Sequence, residues 1–165
     1  VRGLPKRLKL ELIEPIPDLY TDQVRNLSRE LKIPRDFIFE QPHPGPGYAI
    51  RIIGEVTRAR LERVRKADEI VVEEMKKAEW YTKVLHSFAI LTGNSSTSVK
   101  GDGRVYGEVV ALRIVTSRDR MTADWARIPY GILQKMVSRI TNEVPGVSRV
   151  VYDITTKPPA TMEWE

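Results

Sequence analysis

Residues 84 to 115 read Val84-Leu-His-Ser-Phe-Ala-Ile-Leu-Thr-Gly-Asn-Ser-Ser-Thr-Ser-Val-Lys-Gly-Asp-Gly-Arg-Val-Tyr-Gly-Glu-Val-Val-Ala-Leu-Arg-Ile-Val115. The stretch opens on an apolar run, Val84 to Leu91, of the length and composition of a buried strand. It closes on a second run, Val105 to Val115, with β-branched residues and little turn chemistry. Gly93-Asn-Ser-Ser-Thr97 predicts a turn after the first run, and Gly101-Asp-Gly103 predicts the turn of a hairpin joining the two. A hairpin here, in place of regular strand-helix alternation, makes the sheet largely antiparallel.

Downstream of the hairpin, Met121 to Pro129 reads as irregular. Ile132, Leu133, Met136, Val137 and Ile140 then recur at helical spacing, and this helix is expected to stop before Pro145-Gly146. Val147 to Ile154 predicts a final strand, and the tail from Thr155 to Glu165 has no periodicity. Upstream, Tyr48 to Ile53 predicts a strand. Thr57 opens a long helix carrying Leu61, Val64, Val71, Met75 and Ala78, with Asp68 interrupting the apolar stripe. Before these lies Gln41-Pro-His-Pro-Gly-Pro-Gly47, whose prolines remove donors and whose glycines allow positive φ. It reads as a rigid elbow and a domain boundary. Ahead of the elbow, residues 8 to 13 alternate apolar and polar like a strand ended by Pro15 and Pro17. A helix with Thr21 as N-cap and Val24, Leu27 and Leu31 on one face follows, and Pro34 stops it.

The fold class expected is therefore α+β, a two-layer sandwich with a largely antiparallel sheet and helices on one face, preceded by a small strand-helix remnant of an α/β domain. Residues 1 to 41 form that remnant and residues 42 to 165 the main domain. The sheet face without helices carries many β-branched residues and is expected to be covered by a partner.

At 165 residues and 41% hydrophobic content the chain can bury one good core. No apolar run reaches the roughly 20 residues that span a bilayer, and the first residues lack a signal peptide's apolar stretch, so a cytoplasmic setting without membrane contact is expected. Valine at position 1 suggests a piece of a longer chain. The absence of cysteine excludes disulfides, thiol nucleophiles and cysteine-bound zinc, leaving His43 and His86 as the imidazoles. A net charge of +5 favours anionic partners, but 22 acidic residues are mixed among 27 basic ones, as on a mixed solvated surface.

None of G-x-x-x-x-G-K-[ST], G-x-S-x-G, H-E-x-x-H or G-x-G-x-x-G occurs. Gly101-Asp-Gly-Arg104 could cradle phosphate with backbone N–H groups and an arginine fork, although Gly-Asp-Gly between strands is more commonly a plain turn. His86 lies in an apolar run, as either a satisfied core histidine or a ligand contact, and its neighbours do not decide between them. Arg149, Lys157, Glu163 and Glu165 place two cations and two carboxylates on or beyond the last strand, beside Trp164. Such a tail is either solvated or, with its prolines limiting its freedom, able to close over a phosphorylated ligand.

The final segment, Asn142-Glu-Val-Pro-Gly-Val-Ser-Arg-Val-Val-Tyr-Asp-Ile-Thr-Thr-Lys-Pro-Pro-Ala-Thr-Met-Glu-Trp-Glu165, resembles the C-terminal signature of GMP synthases. Gln41-Pro-His-Pro-Gly-Pro-Gly47, Gly101-Asp-Gly-Arg104 and Met121-Thr-Ala-Asp-Trp-Ala126 stand in the same family's order and at about its spacing. The resemblance implies that residues 1 to 41 end an ATP-pyrophosphatase domain and that residues 42 to 165 form the dimerisation domain. It implies a complete enzyme that uses ATP and Mg²⁺ to adenylate xanthosine monophosphate (XMP), after which ammonia from a glutaminase domain or subunit displaces AMP and gives GMP. The family's ATP-binding loop, S-G-G-V-D-S, does not occur in the chain, so the chain alone is expected to bind neither ATP nor Mg²⁺ and to make no GMP. A homodimer holding XMP is implied, with Arg149 and Lys157 at the positions of phosphate-contacting cations. Glu163 matches a nucleotide-contacting carboxylate, which beside a phosphate must accept from ribose hydroxyls or base N–H groups. His86 stands where the family commonly has glutamine. Two other readings compete: a dimerisation-only module, and a KH-like RNA-binding domain. The second wants a G-x-x-G loop between helices, which Gly101-Asp-Gly-Arg104 between strands does not supply.

Overall fold

The computed structural model describes residues 11–118 and 120–165. The chain divides between Glu40 and Gln41 into two compact units. In the first, Tyr20 and not Thr21 occupies the N-cap of helix α1 (Thr21–Glu30), its backbone N–H donating to Gln23 Oε1 at 2.8 Å. Lys32 turns to φ +55°, and Pro34 caps a single helical turn, α2 (Arg35–Ile38). The strand expected over residues 8 to 13 falls partly outside the described residues, and residues 11 to 13 are irregular and exposed.

The second unit is a four-stranded sheet under two helices. Strands β1 (His86–Lys100) and β2 (Gly103–Thr116) form the expected hairpin, turning at Gly101-Asp102. The other edge of β2 is shared. Strand β3 (Asp124–Trp125), inside the stretch expected to be irregular, pairs antiparallel with Val115 and Thr116, while β4 (Val147–Tyr152) runs parallel to residues 108–112. A parallel neighbour needs a long crossover, which helix α4 (Tyr130–Glu143) supplies. Helix α3 (Arg58–Lys77) begins at Thr57, whose Oγ1 accepts from the Arg60 N–H at 3.3 Å. Val64, Val71 and Met75 of α3 and Met136 and Ile140 of α4 are packed on Ala89, Leu91, Val110, Leu112 and Ile114. Period-two alternation sends Phe88, Ile90 and Ala111 to the opposite face, where Ile53 covers them. No helix among the described residues is long and apolar enough to cross a membrane.

Three further expectations are corrected. Residues 48–53 are not a strand. Gly47–Arg51 winds into a 3₁₀ turn, directly after Pro44 and Pro46 with their fixed φ, and Ile52 then makes a single parallel bridge to Leu91. Gly93-Asn-Ser-Ser-Thr97 is not a turn but a bulge inside β1, where the register shifts between Leu91 and Ser95. Glycine is required there: Gly93 sits at φ +73°, and a Cβ on it would stand 2.9 Å from the Ile53 carbonyl oxygen. The centre of the helix-free face is covered by the chain itself, for Phe88, Ile90, Ala111 and Arg113 are wholly buried without a partner. Only the distal half of the hairpin, from Thr92 to Gly107, projects into solvent.

Gly107 is the tightest point between β2 and β4. A Cβ there would lie 2.8 Å from the Gly146 carbonyl oxygen and 3.1 Å from the Ser148 nitrogen, both backbone atoms. Gly107→Ala must push the start of β4 outward, and a destabilisation of roughly 1–2 kcal/mol is expected in urea unfolding. An unchanged midpoint would mean that this end of β4 yields freely.

Candidate functional site

The chain beyond β4 is laid across the helix-free face, and two buried arginines hold it there. Arg113 stands among apolar residues of β2 and is wholly buried. Its Nη1 donates to Asp153 Oδ2 at 2.9 Å and to the Thr155 carbonyl at 2.7 Å. Its Nη2 donates to the Thr161 carbonyl at 2.8 Å and its Nε to the Met162 carbonyl at 3.3 Å. A planar fork with five N–H donors is suited to gathering several acceptors from one loop. Trp164 Nε1 donates to the same Asp153 oxygen at 3.0 Å. Burial raises the Asp153 pKa, but the hydrogen bonds from Thr155 and Trp164 and the Arg113 charge outweigh it and hold the carboxyl below its ordinary value.

Arg51 is the second anchor. The 3₁₀ turn points its guanidinium inward, where it is 2% exposed and lies over the Phe88 ring at 4.2 Å. Nη1 reaches Asp68 at 3.4 Å, Nη2 reaches His86 Nε2 at 3.0 Å, and Nε reaches Glu163 Oε2 at 3.4 Å. Asp68, the interruption in the α3 stripe, also accepts from the Ala89 N–H at 3.0 Å and from the Tyr48 hydroxyl at 3.1 Å. Its burial raises its pKa above the usual carboxylate value, against the pull of Arg51. His86 is 4% exposed, and burial first, then the Arg51 charge, lower its pKa to about 3. The ring is therefore neutral near pH 7. Its Nδ1 is buried and makes no hydrogen bond of good geometry, although the Pro42 backbone works against the lowering, and Glu163 Oε1 stands 3.8 Å from it.

The residues singled out in the sequence do not all meet. His86 and Glu163 come together around Arg51. Lys157 is further along the tail, paired through both backbone groups with Ala123, and its Nζ donates to the Arg120 carbonyl at 2.8 Å. Ala123 in turn lines a cavity of about 400 Å³ with Thr116, Ser117, Arg118, Thr122 and Asp124. Arg149 lies apart: it is exposed on β4 opposite Val109 and donates from Nε to Ser96 Oγ at 3.2 Å. Arg51, Asp68 and Arg113 were not singled out as site residues, although Arg51 and Arg113 are lone charges inside apolar runs and Asp68 interrupts the apolar stripe of α3, which are the signals by which they could be found. Among the described residues no group of three or more imidazole or carboxylate side chains is placed to hold a metal.

Residues 73–164 match the family model described as GMP synthase C terminal domain. Over all 165 residues the chain is 56% identical to GMP synthase (glutamine-hydrolyzing) of Caldanaerobacter subterraneus subsp. tengcongensis, covering 32% of that protein. It is 58% identical over 165 residues to the protein of the same name from Dehalococcoides mccartyi, covering 31% of it. With that from Brachyspira hyodysenteriae the identity is 54%, again over 165 residues and 32% of the relative. The chain thus spans about a third of the length of the curated relatives it matches. The matched region carries the hairpin, α4, β4 and the docked tail, and on that match the chain belongs to the GMP synthase C-terminal domain family.

Proposed function

We propose that this chain is the part of a GMP synthase that dimerises and contributes to the XMP site, with residues 1–41 ending an ATP-pyrophosphatase domain and residues 42–165 forming the dimerisation domain. The observation that carries the reading is the docked tail, which holds the Glu163 carboxylate against Arg51 and the backbone of Lys157 against Ala123 at the edge of a cavity. A carboxylate accepts from ribose hydroxyls or base N–H groups. Lys157, Arg149 and the cavity beside Ala123 offer cations and space for the phosphate, an ammonium being the more mobile partner and a guanidinium the more directional. In the whole enzyme ATP and Mg²⁺ would activate XMP and a glutaminase part would deliver ammonia. On this reading adenylation belongs to the ATP-binding loop of the whole enzyme, S-G-G-V-D-S, which does not occur in this sequence, and this chain alone is expected to form no GMP. Dimerisation is supported by the projecting half of the hairpin, where Val99 and Tyr106 are 73% and 74% exposed. An isolated two-stranded ribbon is marginal in water and gains from a second copy against it.

Isothermal titration of XMP into the chain tests the reading. Lys157→Ala and Glu163→Gln are each expected to weaken binding about tenfold, the loss of one charge-assisted hydrogen bond. Unchanged affinity in both would leave dimerisation as the chain's only role.

A further inference from the structure

Both ladders of β2 break at one level. On one side Thr92, Gly93 and Asn94 stand against Val109 alone, because the β1 register shifts between Leu91 and Ser95. On the other side the β4 register shifts between Glu108 and Val109, which leaves Ser148 as an extra residue. A bulge bends its strand and raises its twist, and two bulges across one residue of β2 interrupt the sheet on both sides of it. Here β4 also begins, with Val147 opposite Glu108, so the ribbon of residues 95–107 continues without β4 beside it.

The same level carries a buried carboxylate. Glu108 is 7% exposed and accepts from Arg60 Nε at 3.1 Å, from Arg60 Nη2, and from Arg63 Nη1 at 2.8 Å. Arg60 donates as well to the Ile53 carbonyl at 2.9 Å, and Arg63 to the Pro145 carbonyl at 3.0 Å. Three residues apart near the start of α3, the two arginines tie one point of β2 to the segment before α3 and to the turn before β4. Further out the ribbon is met by long exposed side chains: Lys100 Nζ donates to the Thr141 carbonyl at 2.6 Å, and Arg149 Nε to Ser96 Oγ at 3.2 Å. Contacts of that kind hold weakly.

We propose that the level of Val109 is a hinge and Glu108 its latch: the ribbon of residues 95–107 turns as one piece on the two bulges, and the grip of Arg60 and Arg63 fixes its angle to the sheet. Charge-assisted hydrogen bonds have direction, so they set an angle where apolar packing would allow a range. On the reading of the ribbon as the surface that meets a second copy, on which this consequence rests, the latch sets the angle at which two copies meet.

Pulsed electron resonance on nitroxides at Thr97→Cys and Lys135→Cys reads the angle as a distance, in a chain with no cysteine of its own. Dilution with unlabelled chain restricts the signal to distances within one molecule. With Glu108 intact one narrow distribution is expected, and with Glu108→Gln, which keeps the shape but loses the charge, one about twice as broad or more. Hydrogen exchange should meanwhile show the ladder N–H groups of the ribbon, and those of Lys157 and Ala160 in the tail, as protected as before. An equally narrow distribution in Glu108→Gln overturns the latch. Lost protection along the ribbon overturns the hinge, since the ribbon would then unzip and not turn. Lost protection in the tail as well overturns it too, the grip being then a part of general stability. Should Glu108→Gln fail to fold, Arg63→Lys decides: it leaves Arg60 on Glu108 but loses the fork that also reaches Pro145, and a smaller broadening is expected, an unchanged width overturning the latch. Sedimentation of the same chains tests the consequence for assembly, with a dimer dissociation constant raised about tenfold in Glu108→Gln. Broadening with an unchanged dimer upholds the latch and removes the ribbon from the dimer surface.

Discussion

Arg113→Met will cost about 3–5 kcal/mol of folding stability, the usual result of removing one partner from a buried, hydrogen-bonded charge pair. The methionine fills much of the volume, so the loss is electrostatic rather than a cavity effect. Asp153 keeps only Trp164 and its own local contacts, and the carbonyls of Thr155, Thr161 and Met162 lose their shared donor under the tail. The side chain is also part of the sheet interior, so the penalty reaches the whole domain and is not confined to the end of the chain. Urea unfolding measures it as a lower midpoint, and hydrogen exchange shows the backbone N–H groups of Lys157 and Ala160 opening first. Arg113→Lys should recover only part of the loss, since an ammonium lacks the planar fork that reaches four acceptors. Native stability in Arg113→Met would mean that the Arg51–Glu163 contact, the Trp164–Asp153 bond and the backbone bridge to Ala123 suffice to hold the tail.

The helices and the hairpin were legible because their signals are local. Apolar spacing defines α3 and α4, and Gly101-Asp-Gly103 turns β1 into β2 as its composition demands. What misled was the meaning of the polar run at Gly93. Turn composition and bulge composition are the same residues, and what separates them is the approach of the Ile53 carbonyl, some forty positions earlier in the chain. The tail was illegible for a related reason. Thr155 to Glu165 has no periodicity, and its order comes from Arg113 on β2 and Arg51 on the 3₁₀ turn. Such long-range polar anchoring leaves only one local trace, a charged residue in an apolar run. His86 and Glu163 were flagged by their residue types, an imidazole in an apolar run and a carboxylate in a proline-bearing tail, but only resemblance to a family joined them into one site, because neither has a neighbour in sequence that marks its role. Arg149 was joined to them in the same way, and in the single chain it stands apart from them.

The buried imidazole also makes the domain's stability depend on pH in a direction that can be worked out. The His86 pKa falls from its ordinary 6.5 to about 3 on folding. The unfolded chain therefore takes up a proton as pH drops below about 6.5, while the folded chain does not until near pH 3. Proton uptake by the unfolded state alone favours unfolding, so the stability associated with a neutral His86 is full above pH 6.5 and is lost as pH falls. Between pH 7 and pH 5 the loss amounts to about 2 kcal/mol, at 1.36 kcal/mol for each unit below the unfolded pKa. The groups around the ring set how firmly it stays neutral: Arg51, then His43 and Arg120, oppose a positive charge, Phe88 at 4.4 Å offers no solvation, the Pro42 backbone favours the charged ring, and the Glu163 carboxylate stands 3.8 Å away. Asp68 acts with the opposite sign. Its raised pKa means that the folded state takes up its proton first, which adds stability as pH falls through that value, and it is present in both chains compared. Urea unfolding of the unaltered chain and of His86→Gln at pH 7 and pH 5 isolates the imidazole, since glutamine does not titrate. The difference in stability between the two chains should shift by about 2 kcal/mol in favour of His86→Gln on acidification. A shift near zero would mean that Glu163 swings onto the protonated ring and compensates its charge, and the 3.8 Å gap between them would then close at low pH.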